Sequence, residues 1–196
     1  MNSNIDLKKL ERKAWTSYFD DGLFDLMFAI ILITSVIRTV TDNAWFTLMM
    51  FSGVIIYILG KRFITVPRLG RVKFSSERVE RQSKLTIILG IVFLITIGIL
   101  VLSLQFDLPS LLSSIIMSIF IIVVFGIFSY LLEFNRMIIY GIMFAVSEGI
   151  SGFYGETAGT YANLVFGIIA FCIACSYLIR FISNYPLPGK EVANAH

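Results

Sequence analysis

Residues 110–132 read SLLSSIIMSIFIIVVFGIFSYLL, from Ser110 to Leu132, without one charged side chain. A helix needs about 20 mostly apolar residues to cross the hydrocarbon core of a bilayer. This stretch has that length and is bounded by Pro109 before it and Glu133 after it. Five more apolar runs flank it: Leu23–Val40, Ala44–Gly60, Leu85–Leu104, Met137–Tyr154 and Tyr161–Ile182. The composition agrees. Apolar residues make up 57% of the 196 positions and charged residues 15%, against about 45–50% and about 25% in soluble domains. Eighteen Phe in a chain with thirteen acidic side chains cannot be hidden from water in one globule. The reading is an all-α integral membrane protein with six transmembrane helices. None of the runs looks like a cleaved signal peptide: the first lacks a small-residue cleavage site, and a long amphipathic segment precedes it.

Lys and Arg set the orientation, because they gather in cytoplasmic loops. Lys8, Lys9, Arg12 and Lys13 precede the first run. Lys61, Arg62, Arg68, Arg71, Lys73, Arg78, Arg81 and Lys84 lie between the second and third. Arg136, Arg180 and Lys190 follow on the same side of a six-span chain. The exception is Arg38, which snorkels outward or meets Asp42. Both termini are therefore expected in the cytoplasm, in a multi-pass protein of the cytoplasmic membrane. The net charge of +3 reflects this bias and anionic lipid headgroups, so nucleic acid is not needed as a partner.

The chain divides accordingly. Residues 1–22 read as an amphipathic helix lying in the membrane interface, capped by Ser3 or Asn4, with Trp15 and Phe19 widening its apolar stripe and Gly22 ending it. Residues 23–60 form the first helical hairpin. Residues 61–84 form a basic cytoplasmic loop. Within it Phe63-Ile64-Thr65-Val66 and Arg71-Val72-Lys73-Phe74 flank the turn-forming Pro67-Arg68-Leu69-Gly70, which predicts a small β-hairpin. Ser75 or Ser76 then caps a helix into the third span. Residues 85–182 hold the remaining spans, and 183–196 a cytoplasmic tail.

Two clusters carry chemistry. Asp20, Asp21 and Asp25 stand at the start of the first span, where carboxylates suit the helix dipole. Asp21 and Asp25 are four apart and share a face. Arg62, Arg68 and Arg71 of the basic loop are the expected partners of Asp21 and Asp25 in an ionic cluster. The second cluster is in the fifth span. If that helix runs from Met137 towards Gly159, Glu148 is its midpoint. Gly141, Ala145, Glu148, Gly152, Gly155 and Gly159 then lie within about 40° of one line at 100° per residue. Ile139, Met143, Val146, Ile150 and Phe153 occupy the opposite side. Small residues at this spacing admit a close neighbouring helix, which turns the carboxyl away from lipid. An ionisable group in a span is a functional candidate by default, here for proton coupling or cation binding. The alternative is a Glu that holds helices together by hydrogen bonding. Ser147, Ser151 and Tyr154 are nearby polar partners. Gly149–Gly159 offers a possible unwound segment, in which Glu156 would also line the site.

The pattern Glu11-x-x-Ala14-Trp15-x-x-x-Phe19-x-Asp21-Gly22-Leu23-x-Asp25, followed by Pro67-Arg68-Leu69-Gly70-x-Val72-Lys73-Phe74, resembles a group of small uncharacterised polytopic membrane proteins of bacteria and archaea. The resemblance spans the first 75 residues or so. It implies a prokaryotic cytoplasmic membrane and brings no activity with it.

Several classes are disfavoured. The one histidine is His196, and Cys172 and Cys175 sit inside an apolar run, where they read as small packing residues. No metal site and no cofactor are expected. Walker A, G-x-S-x-G, H-E-x-x-H and Gly-Asp protease sequences are absent. No catalytic residue is assigned, and an enzyme is the least favoured class. The leading expectation is a small transporter or channel-like protein, possible as a homo-oligomer, that uses Glu148 for proton or cation coupling. The alternative is a non-catalytic membrane subunit or regulatory protein that binds a partner or anionic lipid through its cytoplasmic helix and basic hairpin.

Overall fold

The computed structural model describes residues 15–69, 76–105 and 109–187. Every element among them is helical. After a helical stretch at 15–19 and a turn at 20–22 come α1 (Leu23–Thr41), α2 (Trp45–Gly60), a π-helical turn (Lys61–Thr65) and α3 (Val66–Leu69). Then follow α4 (Ser76–Gln105), α5 (Ser110–Leu132), α6 (Arg136–Tyr154) and α7 (Glu156–Asn184). Five helical segments are long and apolar enough to cross a membrane: Trp15–Thr41, Trp45–Leu69, Ser110–Leu132, Arg136–Tyr154 and Glu156–Asn184. A further apolar stretch, Thr86–Ile99, lies within α4. Large apolar side chains such as Leu48, Phe51, Ile55, Ile119, Val123 and Ile168 face outward. Water would not tolerate so much exposed apolar surface, and lipid does. The chain is a multi-pass membrane protein.

The chain forms two compact units. One comprises Met1–Lys73 and Leu164–His196, the other Phe74–Asn163. In the first, α1 and α2 form a hairpin closed by Asp42, in the left-handed region at φ 49°, and by Asn43, whose Oδ1 accepts the Trp45 N–H at 3.0 Å. Small residues let the helices approach. A side chain on Gly53 would stand 3.0 Å from the Met27 carbonyl oxygen, and one on Gly60 would enter Leu23. Gly22 has φ 76°, where an L side chain is strained, and a Cβ there would meet the Ala174 carbonyl oxygen at 2.5 Å. It is the hinge that turns the chain into α1 and seats it against α7.

In the second unit, α5 and α6 form a tighter hairpin, turned by Glu133 at φ 53° and by the Ser129 hydroxyl, which donates to the Phe134 carbonyl at 3.1 Å. Gly141 lies against Phe125 and Gly152 against Ser114. At the exposed start of α4, Lys84 donates to Glu80 at 2.9 Å. This hydrogen bond, with the ammonium's charge, holds the Glu80 carboxyl below its ordinary range.

One expectation fails. The β-hairpin is absent where its first strand is expected: residues 63–66 are helical, and the second strand, 71–74, lies outside the described residues. β-branched character at Ile64, Thr65 and Val66 is a weak preference that packing overrides. The winning contact comes from Lys61 and Thr65, which are four apart, face one side and both reach Asp21. The expected N-terminal amphipathic helix is described from residue 15 on, and its stripe residues pack against the protein. Trp15 and Phe19 are buried, stacked edge-on at 5.2 Å, with Phe19 reaching Phe24 at 6.1 Å. Residues 1–14 lie outside the described part.

Candidate functional site

The turn at 20–22 places Asp21 at the entrance of α1. Its Oδ1 accepts the Leu23 N–H at 3.1 Å, a side-chain-to-backbone bond two residues on that favours this turn. Its Oδ2 accepts the Lys61 ammonium at 2.7 Å and the Thr65 hydroxyl. Lys61 also donates to the Tyr18 carbonyl. Asp21 and Thr65 are fully buried, and Lys61 is nearly so. Aromatic rings enclose the ammonium: Tyr18 at 4.0 Å, Phe19 at 5.3 Å and Tyr57 at 5.4 Å. Asp25, also fully buried, and Asp20 add their charges to the field at Lys61. A buried ion pair holds only when its remaining hydrogen-bonding capacity is met, and here it is met by a carbonyl, a hydroxyl, a backbone N–H and ring faces.

The π-helical turn makes this possible. The Val66 N–H bonds back five residues to the Lys61 carbonyl, and Pro67, which has no N–H, follows at once. π-turns inside helices recur at functional sites. Of the arginines expected to join the cluster, Arg62 is exposed and lies 6.0 Å over the Phe63 ring. Arg68 bonds the Ile64 carbonyl at 3.1 Å, and Arg71 lies outside the described residues. The cation on Asp21 is thus Lys61. Its signal is legible in the spacing Lys61-x-x-x-Thr65 immediately after an apolar run, with Tyr18 and Tyr57 as aromatic partners.

The α6 residues divide between two neighbours. Glu148 is half-buried, and its Oε1 accepts the Ser114 hydroxyl of α5 at 3.3 Å. Ser118 donates to the Ala145 carbonyl at 2.9 Å. Ser147 turns instead to the start of α7, with its hydroxyl 3.0 Å from the Gly159 carbonyl and 2.7 Å from Asn163 Oδ1. Its one proton is shared between these acceptors. Ser151 packs against Gly159. Tyr154 is 81% exposed, and Glu156 is exposed in the first turn of α7. The helix stays wound through Tyr154 and breaks only at Gly155, φ 94°. Glu148 therefore lies six residues, about 9 Å, from the end of α6, off the midpoint that a longer helix would give it. Gly155 has open space where a side chain would go, so it terminates the helix and packs against nothing, unlike Gly141, Ala145 and Gly152. Ser114 and Asn163 are the partners that helical periodicity within α6 could not reveal.

Among the described residues no group of three His, Cys, Asp or Glu side chains is placed to hold a metal ion. Cys172 and Cys175 are free thiols, the former exposed. Searches against family models, curated proteins and solved structures returned no match.

Proposed function

We propose that the protein is a non-catalytic, regulatory membrane component that binds anionic lipid headgroups at the end of α2 and α3. It sits in the cytoplasmic membrane with both termini inside, the orientation favoured by the placement of fifteen of its sixteen Lys and Arg residues. The carrying observation is the division of labour along Lys61–Leu69. Lys61 turns inward to Asp21, and this pair pins the segment. Arg62 turns outward, with Arg68 one and a half turns further on. An exposed guanidinium at a membrane boundary attracts phosphate esters in an anionic leaflet, at about 1 kcal/mol per basic residue. Lys61–Asp21 thus links surface binding to the packing of α1 on α2, which is what a regulatory component requires.

The test is the melting temperature of the full chain in nanodiscs with rising phosphatidylglycerol in phosphatidylcholine. The expected result is a rising midpoint whose slope falls in Arg62→Gln/Arg68→Gln. A flat profile in the wild-type protein would contradict the proposal.

A second reading, proton or cation coupling, is favoured by one observation: Glu148 with Ser114, and Ser147 with Asn163, form adjacent polar pairs within a spanning helix. Cation-dependent stabilisation in detergent that vanishes in Glu148→Gln would support it.

A further inference from the structure

The unit that contains α1, α2 and most of α7 holds a second polar feature, next to the Asp21–Lys61 pair. A cavity of about 290 Å³ lies between the helical stretch at 15–19 and the last two turns of α7. Ser17, Asp20, Tyr177, Arg180, Asn184 and Tyr185 line it. Its walls are tied together. Ser17 Oγ and the Tyr185 hydroxyl are 3.2 Å apart, and Gly22 is seated on the Ala174 carbonyl just below. Phe181, buried and 5.1 Å from the Tyr185 ring, holds that side in place.

The lining offers two kinds of chemistry. A guanidinium, an amide and hydroxyls donate hydrogen bonds in the way a phosphate accepts them. Arg180 is exposed and brings a full positive charge to the lining. A carboxylate beside two tyrosine rings suits a small cation, which the carboxylate pairs and the ring faces attract. A ligand that satisfies both halves carries a phosphate and an ammonium a few bonds apart.

We infer that this cavity binds the phosphoethanolamine headgroup of a diacyl phospholipid. The phosphate goes to Arg180 and Asn184, and the primary ammonium goes to Asp20 and the tyrosine rings. The location points to a lipid. The cavity stands at the last turns of a helix long enough to span a bilayer, at the level where tyrosines gather in the headgroup layer. Its volume falls just under the about 300–1,000 Å³ of ordinary small-molecule sites, which suits a headgroup with its chains left outside. The charge pattern selects among headgroups. A glycerol headgroup has no ammonium for Asp20. A choline headgroup has one that cannot donate a hydrogen bond. The inference uses none of the residues of the Lys61–Leu69 segment, and it stands if binding there fails.

The experiment measures lipid binding to the delipidated full chain in detergent, by native mass spectrometry and thermal shift. The ligands are diacyl phosphatidylethanolamine, phosphatidylcholine and phosphatidylglycerol, with soluble glycerophosphoethanolamine and inorganic phosphate as further arms. Expected is at least tenfold tighter binding of phosphatidylethanolamine than of the other two lipids. Arg180→Gln should weaken it tenfold or more, and Asp20→Asn should erase the preference over phosphatidylcholine. Both side chains are exposed, so the lipid-free melting temperature should hold. If either variant fails to fold, the wild-type selectivity alone decides. Equal binding of all three lipids, or ethanolamine-lipid binding unchanged within twofold by Arg180→Gln, would overturn the inference. Soluble glycerophosphoethanolamine or phosphate binding as tightly as the diacyl lipid would overturn the lipid assignment.

Discussion

Asp21 is the residue on which most of the first unit's polar chemistry converges. Removing one partner of a buried ion pair leaves the other charge unmatched, at about 3–5 kcal/mol, whereas replacing both with apolar groups of similar size is often close to neutral. Lys61→Met and Asp21→Leu should each lower stability by about that amount, and the double variant should recover most of the loss. Denaturation midpoints of the four proteins in detergent check this; additive losses would mean that the two side chains do not act as a pair. Gly22 is a second residue with a defined cost. Left-handed backbone in a residue with a side chain costs about 1–3 kcal/mol, and the contact with the Ala174 carbonyl at 2.5 Å adds to it. Gly22→Ala should therefore destabilise the protein more than Gly155→Ala, which has a strained φ but open space around it. The same two denaturation curves measure both.

At the scale of elements, the seam between α5 and α6 depends on Gly141, Ala145 and Gly152 for its closeness and on Ser114–Glu148 for one hydrogen bond. Hydrogen bonds between membrane helices average about 0.6 kcal/mol. Glu148→Gln keeps an acceptor for Ser114 and should be close to silent in thermal stability, while Gly152→Leu, which drives a side chain into Ser114, should open the hairpin. A Gln variant that melts far below the wild type would show that the carboxylate itself matters. The amino-acid sequence carries most of these elements on its face. The uncharged run 110–132 coincides with α5, and the break expected at Gly22 is the observed hinge, because apolar length and glycine chemistry are local properties. What is not legible comes from contacts across the chain. The 63–66 run has strand-like residues, yet it is helical because Lys61 and Thr65 reach a carboxylate forty and forty-four positions away. Helical periodicity puts Glu148 on the small-residue face of α6 and cannot name Ser114, which belongs to another helix.

For the whole molecule, the proposal requires a fixed orientation and no dependence on flux. In a Cys172→Ala/Cys175→Ala background, Asp42→Cys should react with an impermeant maleimide only from outside the cell, and Asn184→Cys only after the membrane is opened. Reversed labelling would place the Lys61–Leu69 segment in the wrong leaflet for an anionic partner. On the proposed function the charged groups at the end of α2 work by binding, and Glu148 serves as a hydrogen-bond acceptor between helices. Ion flux into liposomes carrying the purified chain tests that most directly, with proton, sodium and potassium gradients applied in turn. Leak rates should equal those of protein-free liposomes for the wild type and for Glu148→Gln alike; gradient-driven flux in the wild type that Glu148→Gln abolishes would contradict a binding role.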